Sequence, residues 1–311
     1  MNLSRNIAFA LGAIILTAAC QRKPLLEENL ALTLCLDGAA RQETLWRCLV
    51  YDADKGTRLG YSFVAPEGGE VAVTSGNRLL VAHVFGCETA VLRGEDSADG
   101  LTVTTNDADA ATCDLWSQLV ATAPADLRPA LEGAGAIAWQ PDAMEVALAD
   151  RLTVPRRAWE EDYAVTIPVV PAPRTATLLL PRIVGMEYIS SAAVFVTGLS
   201  RGLLLRSGQP VGGYGVMMAP MYRGDATTLR GSLSSFGECP GQRILAVVTV
   251  TDIGAGCHAY ISDITDRFDA SGTILLDGMD IVIEKPDMPD GGGGFLPVLE
   301  DWNTKIVPVD L

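Results

Sequence analysis

One serine in this sequence has the spacing of a catalytic nucleophile. Gly198, Ser200 and Gly202 fit the pattern G-x-S-x-G, in which a sharp strand-to-helix turn exposes the serine hydroxyl. Such a serine also needs an acid and a histidine later in the chain, and Asp252 and His258 lie downstream. The residues after the serine, LLLRSGQPVGG, predict a strand and a turn where the motif needs a helix. We therefore interpret GLSRG as a turn between two strands, and we predict that the protein is not an enzyme.

Residues that commonly bind metal ions or phosphate are few and widely spaced. The only histidines are His83 and His258, and the sequence has no C-x-x-C pair. The stretch DADKG at 52–56 resembles the start of a calcium loop, but Phe63 stands at the twelfth position, where a glutamate is needed. The glycine run at 291–294 lacks the lysine of a phosphate loop, and a flexible hinge is its simpler interpretation. We therefore predict no metal and no cofactor.

The first 19 residues predict a cleaved lipoprotein signal peptide. Arg5 precedes an apolar run at 7–16, and small residues lead up to Cys20. That run falls well short of the roughly 20 residues that a membrane-spanning helix needs. The arrangement resembles a bacterial lipobox, in which the cysteine becomes the acylated first residue. We therefore predict that Cys20 carries fatty acyl chains, such as palmitate, that attach the protein to a membrane.

The sequence is strongly acidic, with a formal net charge of −15 at pH 7. Phosphates repel such a chain, which argues against nucleic-acid binding and against a polybasic membrane patch. Besides Cys20 the chain has six cysteines at irregular spacing. An exported protein permits disulfides, but several of these cysteines lie in apolar, strand-like runs. Disulfides and small buried core residues both remain open, and no pairing is predicted.

Short strands separated by turns dominate the rest of the chain. The stretches at 66–69 and 75–77 contain the proline, glycine, asparagine and serine residues typical of turns. One segment, DADAATCDLWSQLVAT, predicts a short helix, because Cys113, Trp116 and Leu119 recur at helical spacing. Strands at intervals of about eight to twelve residues favour antiparallel sandwiches over an α/β fold.

These patterns predict an all-β fold with two consecutive antiparallel β-sandwich domains, one short helix in the first and a C-terminal edge-strand tail. After the signal peptide at 1–19, the predicted segments are a tether at 20–29, an N-terminal sandwich at 30–158, a C-terminal sandwich at 159–286, and a glycine-rich hinge with a terminal strand at 287–311.

The terminal segment WNTKIVPVDL has features of an edge strand. Val307, Val309 and Leu311 alternate at period two, and Pro297 and Pro308 lack the backbone donors that an interior strand needs. Such a strand can complete its own sheet or add to a partner's sheet by β-augmentation, and both possibilities remain open. The residues predicted to contact a partner are Trp302, Ile306, Val307, Val309 and Leu311.

Several phrases of the sequence, in the same order, resemble a family of Bacteroidales lipoproteins. The phrases are LVYDADKG, VAPEGGEVAV, RLLVAHVFGCETAVLRG, SLSSFGECPG, YISDITD, DIVIEKPDMP and GGGGFLPVLEDWNTKIVPVDL. That family of uncharacterised domains is related to fimbrillins and to the fimbrial anchor subunits of type V pili. The resemblance implies two transthyretin-like β-sandwiches, outer-membrane attachment through acylated Cys20, a fimbrillin or pilin partner, and a role in pilus anchoring or cell adhesion. It carries over no catalytic residues.

A surface glycan-binding or ligand-binding lipoprotein is the alternative function. An exposed aromatic platform would favour it, but aromatic residues make up only 6% of the chain and the five tryptophans are scattered. The side of the outer membrane that the protein faces also stays open. The first acidic residues after Cys20 come only at Glu27 and Glu28, whereas acids directly after the cysteine would favour export to the cell surface.

Overall fold

The computed structural model describes residues 30–39, 44–156 and 163–286, together with the course of the backbone at 298–303. Within these ranges the chain consists mainly of strands in two sheets, and it also has two α-helices. The predicted all-β architecture with two sandwich-like sheet units is confirmed.

The strands and helices are numbered along the chain. The first nine strands are β1 (Leu30–Asp37), β2 (Trp46–Asp52), β3 (Arg58–Val64), β4 (Gly68–Val73), β5 (Gly76–Val84), β6 (Ala90–Arg93), β7 (Thr102–Thr105), β8 (Ala136–Ala138) and β9 (Glu145–Val154). The other strands are β10 (Ala164–Pro171), β11 (Arg174–Leu180), β12 (Ile189–Leu204), β13 (Pro210–Arg223), β14 (Leu229–Ser235), β15 (Leu245–Asp252), β16 (Gly256–Asp263), β17 (Thr273–Leu275) and β18 (Val298–Asn303). The helices α1 (Ala110–Thr122) and α2 (Arg128–Glu132) lie between β7 and β8.

The first sheet folds over so that its two ends meet. Its order is β3-β2-β5-β9-β10-β1-β4, and the outermost strands β3 and β4 are consecutive in the chain. Ala65 and Gly68 exchange backbone hydrogen bonds of 3.1 and 2.9 Å in the turn that joins these strands. Further along, the hydroxyl of Ser62 accepts from the N–H of Ala72 at 3.2 Å. Alternate residues of the strands thereby enclose one hydrophobic core, in which Trp46 is fully buried.

The second sheet is larger and contains two long central strands, β12 and β13. Its order is β17-β11-β14-β13-β12-β15-β16-β18, with β7 also paired to β12, β6 to β7 and β8 to β13. Most pairings in the two sheets are antiparallel, as predicted. Four are parallel, namely β1 with β10, β8 with β13, β11 with β17 and β16 with β18.

Sheet membership crosses the predicted domain boundary between residues 158 and 159. The strands β6, β7 and β8 precede that boundary but belong to the second sheet, and β10 follows it but belongs to the first. Hydrophobic side chains also join the two parts, since Leu49 of β2 and Leu79 of β5 pack with Leu101 from the segment before β7. The chain therefore passes between the two sheets more than once. The predicted bounds of the segments stay a prediction.

The predicted short helix is confirmed as α1. The carboxylate of Asp109 caps it by accepting from the N–H of Thr112 at 2.8 Å, as expected for an acidic N-cap. Trp116 packs with Phe195 of β12, with 5.4 Å between the ring centroids. The helix therefore covers one face of the second sheet, although its sequence lies in the stretch predicted for the first sandwich. Neither helix in the described ranges has the length and apolar character needed to cross a membrane.

Candidate functional site

The C-terminal strand β18 occupies one end of the second sheet. It runs parallel to β16, with Gly256 opposite Val298 and Tyr260 opposite Asn303. Without β18, β16 would be the last strand of the sheet at this end and would present an unpaired backbone edge. At 298–303 the chain thus pairs with its own sheet.

The predicted partner contacts are only partly within the described structure. Trp302 lies in β18, and its register partner in β16 is Ala259. Ile306, Val307, Val309 and Leu311 lie outside the described residues, and so does the predicted lipid-attachment residue Cys20. The assignment of these residues to a partner and to a membrane stays a prediction.

A buried carboxylate fixes the turn that leads into β16. Asp252 is only 7% exposed. One of its oxygens accepts from the N–H groups of Gly254 and Gly256 at 2.7 and 2.9 Å, and the other lies 3.1 Å from Nε2 of His258. These bonds compensate for burial of the charge. Since Gly256 is the register partner of Val298, they also hold the β16 edge in place where β18 begins.

The serine of GLSRG does not meet the histidine that a catalytic site would need. Ser200 is fully buried inside β12, and its hydroxyl donates to the carbonyl oxygen of Gly202 at 2.7 Å. Asp252, which contacts His258, is the register partner of Ile189 at the opposite end of the same strand. Positions 189 and 200 are eleven steps apart in the chain, which corresponds to roughly 35 Å along a regular strand.

The prediction that GLSRG forms a turn between strands was wrong. The segment continues β12 and contains register shifts in its pairing with β13. Gly198 has φ +72°, so a left-handed residue that often marks a turn is accommodated here within an irregular strand. The actual turn comes just after β12, where the N–H of Gly208 donates to the carbonyl oxygen of Leu204 at 2.8 Å.

The first carboxylate of the calcium-like stretch DADKG has a structural role. Within the described residues no group of three or more His, Cys, Asp or Glu side chains could hold a metal ion. Asp52 of DADKG accepts from the backbone N–H groups of Asp54 and Lys55 at 3.0 and 2.9 Å. The bond from Lys55 is the main cause that lowers the pKa of this carboxyl. Asp52 therefore stabilises a hairpin turn.

The cysteines in the described ranges include buried and partly exposed thiols. Cys35, Cys48, Cys113, Cys239 and Cys257 are free thiols. Cys48 is fully buried in the core of the first sheet, and burial raises the pKa of its thiol to about 12. At pH 8 only about one Cys48 thiol in ten thousand is then a thiolate, which is the reactive form.

We expect iodoacetamide at pH 8 to leave Cys48 unmodified in the native protein while it modifies the partly exposed Cys113 on helix α1. Mass spectrometry of the digested protein measures both. The same reaction in 6 M guanidinium chloride is the control, because unfolding restores an ordinary pKa and exposes Cys48. Equal modification of the two cysteines in the native protein would contradict the burial of Cys48.

An exposed aromatic surface lies along β3 and the adjacent ends of β2 and β5, and it was not foreseen from the sequence. We define the aromatic ledge as Leu45, Leu59, Tyr61, Phe63 and Phe85, each of which is about half exposed. The rings of Tyr61 and Phe63 meet edge to face with centroids 5.8 Å apart, and Phe63 meets Phe85 in the same way at 5.3 Å. The period-two spacing of Leu59, Tyr61 and Phe63 could have indicated their common face, but it could not show that this face is uncovered.

Paired charges border the aromatic ledge. Glu95 accepts from both terminal nitrogens of Arg47 at 2.9 and 2.8 Å, and from Arg58 at 2.9 Å. The guanidinium of Arg47 also lies over the ring of Tyr61, 4.7 Å from its centroid. Asp96 forms a further ion pair with Arg58. The two arginines and two acids balance, so these ion-paired groups carry no net charge.

The sequence and the fold both have relatives among known proteins. A family model described as a domain of unknown function, DUF5119, matches residues 19–212. No curated protein gives a significant match. The resemblance to a fimbrillin-related family of the Bacteroidales agrees with the DUF5119 match and with the structural neighbours.

The fold is similar to that of a Bacteroides ovatus protein described as a putative adhesin. The two are 16% identical, the match covers 84% of this chain and 95% of that chain, and the TM-score is 0.61. A second protein of that description from the same species is 9% identical, with 71% and 73% covered and a TM-score of 0.47. The fimbrial anchor protein Mfa2 from Porphyromonas gingivalis is 10% identical, with 72% and 83% covered and a TM-score of 0.43. At 16% identity, the similarity to the first of these proteins concerns the fold alone.

Proposed function

The chain belongs to the DUF5119 family, and from that premise we propose that it is a membrane-anchored, non-catalytic lipoprotein that acts in fimbrial anchoring, fimbrial assembly or cell adhesion. Acylated Cys20 holds it at the outer membrane of the cell. A sheet edge pairs with a fimbrial subunit, such as a fimbrillin of a type V pilus.

The observation that carries this proposal is the pairing of β18 with the edge of β16. An extended segment of six residues lies there along the end of the second sheet. Backbone hydrogen bonds supply the affinity of such a contact, and alternate side chains supply its specificity. This holds whether the added strand comes from the same chain or from a partner. A tail that continues past Asn303 can therefore pair with a second chain while 298–303 stay on β16.

Two further observations support the proposal. The fold shared with the Bacteroides ovatus protein favours adhesion, because adhesin is the role that its description names. The distance between Ser200 and His258 along the second sheet favours a non-catalytic role, because it keeps apart the groups that acyl transfer would need together.

Two truncations test where the fimbrial partner binds. We compare the full chain, a chain lacking residues 304–311 and a chain lacking 296–311, each cross-linked in native outer membranes and recovered by pull-down. We expect the full chain to recover a fimbrillin and both truncated chains to lose it, because the predicted contacts Ile306, Val307, Val309 and Leu311 are absent from both. The shorter truncation retains β18, so it serves as the matched control for damage to the second sheet.

The other outcomes are equally informative. Recovery of the fimbrillin with all three chains would keep the anchoring role and exclude the tail as the interface. Loss with the 296–311 deletion alone would assign the interface to β18 and the β16 edge. If the cells contain stable fimbrillin and no chain ever recovers it, the proposed role in fimbriae is wrong.

A further inference from the structure

We propose that the aromatic ledge is a binding site for a neutral saccharide, with sugar rings stacked on Tyr61, Phe63 and Phe85. This site lies on the first sheet, whereas β16 belongs to the second, and its function does not depend on sheet-edge pairing.

The first observation is the exposure and geometry of the rings. Tyr61 is 55% exposed, Phe63 46% and Phe85 48%, although large apolar side chains are normally buried. The guanidinium of Arg47 covers one face of the Tyr61 ring. The face of an aromatic ring is electron-rich and attracts the slightly positive C–H groups on the apolar face of a sugar.

The second observation is a pair of unsatisfied polar atoms beside Phe63. Arg47 is the register partner of both Phe63 on β3 and His83 on β5, so the three side chains form one row across the outer face. Nε of Arg47 and Nε2 of His83 are buried and have no hydrogen-bond partner within the described structure. His83 is only 4% exposed.

The two atoms have complementary hydrogen-bonding roles. Nδ1 of His83 lies 2.9 Å from the carbonyl oxygen of Val84, which can only accept, so Nδ1 carries the proton and Nε2 is an acceptor. Burial lowers the pKa of His83 and keeps the ring in this neutral form. Nε of Arg47 is a donor. A hydroxyl group both donates and accepts, so a sugar hydroxyl has the two roles that these nitrogens require.

The third observation is the charge at the border of the ledge. Arg47 and Arg58 are paired with Glu95 and Asp96, so this border is neutral in a chain whose net charge is −15. An anionic glycan or an anionic lipid surface would find no free cation in this ion-paired group. A neutral ligand does not need a free cation. The paired carboxylate and guanidinium groups still offer acceptors and donors for its hydroxyls.

The size of the ledge also favours a saccharide over a protein. Five side chains at half exposure present roughly 500 Å², whereas a stable protein interface buries about 800 Å² on each partner. Isolated apolar patches of roughly 300–600 Å² on monomers often have a function. An area of this size corresponds to a few sugar rings.

An array of neutral and acidic oligosaccharides, probed with the full chain purified in detergent, tests the proposal. We expect binding to neutral oligosaccharides, and we expect Phe63→Ser to weaken it at least tenfold in titration calorimetry with the strongest array ligand. Tyr222→Ser is the matched control, because Tyr222 is 66% exposed but lies on β13 of the second sheet. Thermal unfolding of each variant checks that the fold is intact.

Three outcomes would overturn the proposal. The first is no binding to any neutral oligosaccharide on the array. The second is equal binding by the Phe63→Ser and Tyr222→Ser variants. The third is a dimer of the chain, or a complex with fimbrillin, that Phe63→Ser dissociates while saccharide binding is absent, which would assign the ledge to protein contact.

Discussion

Replacing Cys20 with alanine is expected to move the protein from the membrane fraction to the soluble fraction. Acyl chains contribute about 0.8 kcal/mol per buried methylene, and more than one chain on the same residue gives stable attachment. Loss of all of them should change the partition between membrane and soluble fractions on the order of 100-fold or more. Fractionation of cells followed by immunoblotting measures the change, and metabolic labelling with a palmitate analogue should give a signal for the natural chain alone.

A second cysteine variant controls for effects on folding or export. Cys239→Ala removes a partly exposed free thiol in the second half of the chain and should leave the protein in the membrane fraction. If Cys20→Ala stays in the membrane after a carbonate wash and still takes up the palmitate label, Cys20 is not the anchor. A different part of the protein would then have to attach it to the membrane.

Gly68→Ala is expected to destabilise the first sheet by about 4 kcal/mol or more, a loss in the range where a named structural cause is required. Gly68 has φ +115°, which an alanine adopts only with strain. A Cβ at this position would also overlap the carbonyl oxygen of Leu34 on the neighbouring strand β1. Thermal unfolding should show a decrease in Tm of roughly 10 °C for a protein of this size.

The variant Gly86→Ala separates the effect of backbone strain on stability from the effect of steric overlap. Gly86 has φ +90°, but a Cβ there would have no atom within 4 Å. This control therefore measures backbone strain alone, of order 1–3 kcal/mol. Equal losses for the two variants would show that β4 does not approach β1 as closely as the structure indicates.

Local signals in the sequence were sufficient to predict several elements of the fold. The helical spacing of Trp116 and Leu119 predicted α1, because amphipathic periodicity acts within a few residues. The turn at 66–69 was predicted from its proline and glycines for the same reason. GLSRG was misassigned because Gly198 has the backbone conformation of a turn residue, and only the strands on both sides of β12 show that the segment continues a sheet.

The position of α1 illustrates a second limit of prediction from the sequence. Its apolar face was evident from the sequence, but the sequence did not show which sheet that face covers. In the structure Trp116 packs on Phe195, which lies 79 positions later in the chain. Long-range contacts of this kind depend on the complementary shapes of surfaces that are distant in sequence, so periodicity cannot predict them.

The sequence by itself determined that the protein is acidic and that it is built mainly from short strands. Those properties follow from composition and from interactions over a few residues. Only the tertiary structure decided that Ser200 is remote from His258, that 298–303 pair with β16, and that Tyr61, Phe63 and Phe85 form one exposed ledge. The physical reason is that period-two alternation places side chains on a common face, whereas burial of that face depends on whether another part of the chain packs against it.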